Sequence, residues 1–95
     1  MATKVLIPTP LRAFTDRKDT VMLEGKTVGE LLGRLTAQHA QLKKHLYTDE
    51  GKLRNFVNVY VNHEDIRYLK KEDTPVSDHD IVSIIPSIAG GGEPA

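Results

Sequence analysis

The chain contains no cysteine among its 95 residues. That absence removes a disulfide framework, a thiolate metal site and a cysteine nucleophile, and it fits a reducing, cytoplasmic setting. Any sulfur chemistry would have to use a group other than a thiol. Net charge is absent too: 13 basic side chains balance 13 acidic ones, so no overall field draws the chain to nucleic acid or to a membrane surface. The start, "MATKVLIPTP", has no apolar run of signal-peptide length, and nowhere do about 18 apolar residues follow one another, which predicts a protein that is neither exported by that route nor membrane-spanning. No glycine-rich loop precedes a predicted helix, so there is no nucleotide-binding signature. The four histidines, His39, His45, His63 and His79, have no metal-ligand spacing, and His39 falls on a helix stripe as a core-edge residue. Asp78, His79 and Asp80 have the composition of a turn rather than of an acid/base group. Asp16 to Asp19 and the pair Lys70 and Lys71 are solvated loop charges. These absences point away from an autonomous enzyme and from any bound metal or cofactor.

What is present fits one small domain, which at this length buries a little over ~60% of its unfolded surface. "TKVLIP", Thr3 to Pro8, is β-branched and stops at a proline, as a strand does. After the loop "TPLRAFTDRKD", "TVMLEG" from Thr20 to Gly25 has the same character, so the two make a hairpin with a long connection. "TVGE" is a capping box: the Thr27 hydroxyl accepts from the N–H of Glu30, and Glu30 reaches back to the Thr27 amide. Val28, Leu31, Leu32 and Leu35 then recur at helical spacing, and the stripe resumes at Leu42 and Leu46 after a break. "FVNVYVN" alternates, with Val57, Val59 and Val61 toward the helix and Phe56, Asn58, Tyr60 and Asn62 away from it. "HED" turns the chain into a short strand near Ile66 to Leu69. The last strand, "DIVSIIP", points Val82 and Ile84 inward and Ile81 and Ile85 outward. The order predicts an α+β fold, one main helix on one face of a mixed sheet, with no internal repeat.

Two features are left without a structural role. Phe56, Tyr60 and Ile85 lie on the face opposite the helix, where nothing in so short a chain covers them, and such a patch suits protein docking. The chain then runs through "PSIAGGGEPA". Three consecutive glycines, Gly90, Gly91 and Gly92, cannot build a core, and they allow close approach to the backbone.

The span "FVNVYVNHEDIRYL", followed by "DHDIVSIIPSIAGG", resembles the sulfur-carrier proteins of the ThiS/MoaD family, and within it the CysO type. The most specific element is Asp80, Val82, Ile84, Pro86, Gly90 and Gly91, and the resemblance covers nearly the whole chain, including "IPTPLR". It implies a ubiquitin-like β-grasp fold over residues 1–86 and a C-terminal tail over 87–95. It also implies a reactive carboxylate at Gly91 that an E1-like enzyme of the MoeB/ThiF type adenylates with ATP. A sulfur donor then converts the adenylate to a thiocarboxylate. Docking is expected of Phe56, Tyr60, Ile85, Pro86 and Ile88. The simplest members stop at the second glycine, whereas this chain continues with "GEPA". The resemblance therefore implies removal of residues 92–95 by a JAMM-type metalloprotease, with cleavage after Gly92 as the other register. A cysteine synthase-like enzyme would accept the sulfur. Two related roles share the same activated tail: a ubiquitin-like modifier joined to lysines, and a small subunit of molybdopterin synthase. A carboxylate is a poor acyl donor because it is ionised at neutral pH, which is why activation is needed.

Overall fold

A computed structural model describes residues 2–86. Alternation of apolar and polar residues sets the strands: β1 (Ala2–Leu6) buries Thr3 and Val5, and β2 (Thr20–Glu24) buries Val21 and Leu23. β3 (Val57–Val61), β4 (Glu64–Asp65) and β5 (Ile81–Pro86) complete one five-stranded sheet in the order β2-β1-β5-β3-β4. The first and last strands lie side by side and parallel, Val5 opposite Val82, and every other pairing is antiparallel. Parallel neighbours need a long crossover, and here most of the chain supplies it.

α1 (Val28–Gln38) begins at Thr27, whose extended backbone and hydroxyl, 3.2 Å from the Glu30 nitrogen, satisfy an otherwise orphan donor. The other half of the capping box differs from expectation. The Glu30 carboxylate accepts from the Lys26 N–H at 2.8 Å, one residue before Thr27. The predicted break falls at His39, which leaves the helical region and separates α1 from α2 (Ala40–Leu46). The main helix is α1, the shorter α2 carries its apolar stripe onward past the break, and the bend keeps Leu42 and Leu46 as fully buried as Leu32 and Leu35.

All nine predicted core residues are buried: Val28, Leu31, Leu32, Leu35, Val57, Val59, Val61, Val82 and Ile84. The segment after β3 needs a correction. The predicted strand at Ile66 to Leu69 is a 3-10 turn over Ile66–Tyr68, and the strand is the earlier pair Glu64 and Asp65. The cause is local. Asn62 turns the hairpin with a positive φ of 60°, a conformation asparagine tolerates. Asp65 then stops the strand by accepting from the Arg67 N–H at 2.9 Å. The loop after β1 is also more ordered than its composition indicates, forming a 3-10 turn over Thr9–Phe14 that buries Leu11. Ser77 to Asp80 form the expected turn, with the Asp80 carboxylate accepting from the Ser77 N–H at 2.9 Å.

Candidate functional site at the end of the last strand

β5 is hydrogen-bonded on both sides, to β1 and to β3, and its last residue, Pro86, lies opposite Val57. Proline has no N–H of its own to donate to a ladder. Pro86 is held in a strand that is paired on both sides. Ile88, Gly90, Gly91 and Gly92 lie outside the described residues.

The docking residues expected from the sequence divide between two surfaces. Ile85 and Tyr60 share the outer face of the sheet. Ile85 is opposite Asn58, and Tyr60 faces Ser83, whose other neighbour is Leu6. Together with Ile81 they form an open apolar depression of about 410 Å³. Ile85 keeps 49% of its surface exposed there. Phe56 and Pro86 belong elsewhere. They line a separate groove of about 560 Å³ with Pro10, Leu11, Phe14, Lys44, His45 and Arg54. Its wall is an aromatic stack, Phe14 on His45, with ring centroids 4.4 Å apart.

Hydrogen bonds stiffen the outer face at both ends. Arg67 holds Asp65 through contacts of 2.8 to 3.2 Å and donates to the Asn58 side-chain oxygen at 2.6 Å, which fixes the residue opposite Ile85. The side-chain hydrogen bond from Arg67 keeps the Asp65 carboxyl below the usual carboxylate range. At the other end Asn62 donates to Asp80 at 3.1 Å and accepts from the Ile81 N–H at 3.1 Å. The Asn62 hydrogen bond, followed by that from the Ser77 amide, lowers the Asp80 pKa.

Sequence alternation could have added Ile81 and Leu6 to the outer patch, because both alternate with buried neighbours. Phe14, Lys44, His45 and Arg54 carried no such signal, since their meeting depends on how the 3-10 turn packs against α2. Among the described residues no cluster of three or more histidine, aspartate or glutamate side chains could hold a metal ion, and no helix is long and apolar enough to cross a membrane.

The mixed five-stranded sheet with helices packed on it is a ubiquitin-like β-grasp domain. The chain belongs to the ThiS family, whose profile matches residues 5–91. It is 39% identical over 93 residues to the sulfur carrier protein CysO of Mycobacterium tuberculosis, covering 96% of this chain and 100% of that protein, and it is a sulfur carrier of the CysO type. A crystal structure of the Amycolatopsis orientalis BexX/CysO complex contains a chain that superposes with a TM-score of 0.86 at 41% identity, covering 95% of this chain and all of that one. The small archaeal modifier protein 3 of Haloferax volcanii is 37% identical over 65 residues, 68% of this chain and 70% of that protein.

Proposed function

We propose that the reactive end of this carrier is Gly91 and that the four residues after it are removed before the carrier works. The family match stops at Gly91, five residues past Pro86, the last residue of β5, and that match carries the reading. Extended backbone from Pro86 to Gly91 spans at most about 20 Å, enough to enter a partner's active site while the folded domain stays outside. Glycines at 90 and 91 let the last carbonyl approach a phosphorus atom without side-chain clashes.

The chemistry proceeds in two balanced steps. The Gly91 carboxylate attacks the α-phosphorus of ATP, pyrophosphate leaves, and an acyl-adenylate forms. A sulfide-level donor then displaces AMP, which leaves a C–S bond where a C–O bond stood. The domain itself is a co-substrate in both steps. The E1-like partner, the tail-removing metalloprotease and a cysteine synthase-like acceptor are supplied by other proteins in a cytoplasmic setting. The existence of a complex between a CysO-type chain and BexX supports partner docking by this fold, and Ile85 and Tyr60 are the groups best placed to make it. A second reading, a protein modifier that uses the same adenylate to form isopeptide bonds, is favoured by the likeness to the archaeal modifier protein.

ATP–pyrophosphate exchange with the activating enzyme tests the assignment. The chain ending at Gly91 should exchange, and the chain extended through Ala95 should not. Exchange by the extended chain would refute the need for cleavage, and exchange confined to a chain ending at Gly92 would move the reactive carboxylate by one residue. Branched conjugates in cell extracts, without a thiocarboxylate, would establish the modifier reading instead.

A further inference from the structure

The groove beside Pro86 differs in charge from the rest of the molecule. The chain as a whole is neutral, yet the ionisable residues that line this groove are Lys44, Arg54 and His45, with no acid among them. Among the described residues no carboxylate lies within 4 Å of Lys44 or Arg54; the ion pairs are those of Arg67 with Asp65 and of His79 with Asp78. Arg54 is also held in place. Its Nε donates to the Lys44 carbonyl at 2.9 Å and its backbone N–H to the Leu46 carbonyl at 2.9 Å, so the remaining guanidinium donors are presented from a fixed rim. The floor and wall, Leu11, Phe14, Phe56 and Pro86, are apolar, and Phe56 keeps 46% of its surface exposed.

We propose that this groove binds an acidic peptide segment carrying a bulky apolar anchor, contributed by a tail-acting protein other than the activating enzyme that docks on the outer face. The anchor covers Phe56 and the Phe14–His45 stack, and flanking carboxylates meet Lys44 and Arg54. Two cations without a carboxylate partner among the described residues, set around an apolar floor, select that chemistry, because an anion alone would leave the floor wet and an apolar chain alone would leave the cations unmatched. The tie to a tail-acting protein rests on the function proposed above and on position. Pro86 is both the last residue of the sheet and a wall of the groove, so a protein that takes hold of the following residues approaches this surface. The outer face, with Tyr60 and Ile85, is then free for a different contact.

The test is a titration of the full-length, isotopically labelled chain followed by its backbone amide resonances. The probe is a capped six-residue peptide with a phenylalanine-leucine centre and two acidic residues on each side. Its counterpart carries lysine in place of each acid. Saturable shifts confined to residues 11–14, 44–45 and 54–56 are expected with the acidic probe and none with the basic one. Lys44→Glu, at an exposed position, should weaken the acidic probe by about fivefold or more. Phe56→Ala should weaken it by about tenfold, and both variants should keep a folded amide spectrum. Equal binding of the two probes, or shifts centred on Tyr60 and Ile85, would overturn the proposal. Competition by a short oligothymidylate of equal charge would assign the groove to nucleic acid. Shifts at Ile88 and Glu93 as the probe binds would show the chain's own tail being displaced. Because the titration involves no ATP and no sulfur, its failure would leave the Gly91 chemistry standing, and failure of that chemistry would leave the groove's specificity measurable.

Discussion

The two apolar surfaces at the end of β5 are built in different ways. The outer face, with Leu6, Tyr60, Ile81 and Ile85, is made of side chains that alternate out of regular strands, and its shape follows from strand register. The groove at Phe56 and Pro86 is assembled from a 3-10 turn, a short helix, the approach to β3 and the end of β5, and its rim is cationic. A surface built from register follows the regular spacing of the strands. One built from connections between elements is concave and can select chemistry, as loops on a rigid scaffold commonly do. One small domain can therefore offer two partners different surfaces while giving both the same tail.

The largest expected effect removes what the two surfaces share. Leu32 is fully buried beneath the sheet, and Leu32→Ala should cost about 2 to 5 kcal/mol in denaturant unfolding. A smaller loss than about 1 kcal/mol would show that the core collapses onto the cavity and does not hold the sheet rigid. Next, Ile85→Asp places a charge in the outer patch only. It should weaken binding to the activating enzyme by about tenfold or more, without loss of stability, because a desolvated contact then contains an unpaired carboxylate. Unchanged affinity in a calorimetric titration would remove Ile85 from that interface. Loss of acidic-probe binding in the same variant would show that the two surfaces are one.

Acid should act on the outer face first. The Asp65 and Asp80 carboxyls both lie below their ordinary value of 3.8. Their contribution to stability is therefore complete above that value and is lost as pH falls through the depressed folded-state values. Asp80→Asn should reduce this acid sensitivity and cost no more than about 1 kcal/mol at neutral pH, and thermal unfolding between pH 2 and 6 reads both. An acid transition identical in the variant would contradict it. The smallest effect is alkaline. Burial, reinforced by nearby Glu72, pushes the Tyr47 hydroxyl up to about 12. Above pH ~10 the unfolded chain ionises this group before the folded one does, so stability falls as pH rises from there through about 12. Tyr47 follows α2 directly, so the amides of Lys44 and His45 should respond before those of Tyr60 and Ile85. Ionisation of Tyr47 near ~10, resolved by comparing ultraviolet titrations of the protein and its Tyr47→Phe variant, would refute the assignment.

How much of this was legible in the sequence depended on range. Alternation in "FVNVYVN" and "DIVSIIP" placed every inward valine and isoleucine correctly, and helical spacing placed Val28 to Leu35 and even the break before Leu42, because these signals are local and periodic. The strand misplaced at Ile66 to Leu69 turned on one side chain, Asp65, capping the residues after it. The outward patch read from the sequence was half legible as a surface. Tyr60 and Ile85 share a face by parity. Phe56 has the same parity as Tyr60, yet it lies just before β3 begins and joins the groove. No periodicity brings Phe14 to His45, 31 positions later in the chain, since that meeting is decided by tertiary packing alone.

The central claim, that Gly91 is the sulfur-bearing end of this carrier, is tested most directly by intact-mass analysis of the protein purified from its native host. The account predicts a species ending at Gly91, with residues 92–95 gone and one carboxylate oxygen replaced by sulfur. A population that keeps Glu93, Pro94 and Ala95 and carries no sulfur in place of oxygen, from cells actively assimilating sulfur, would contradict it.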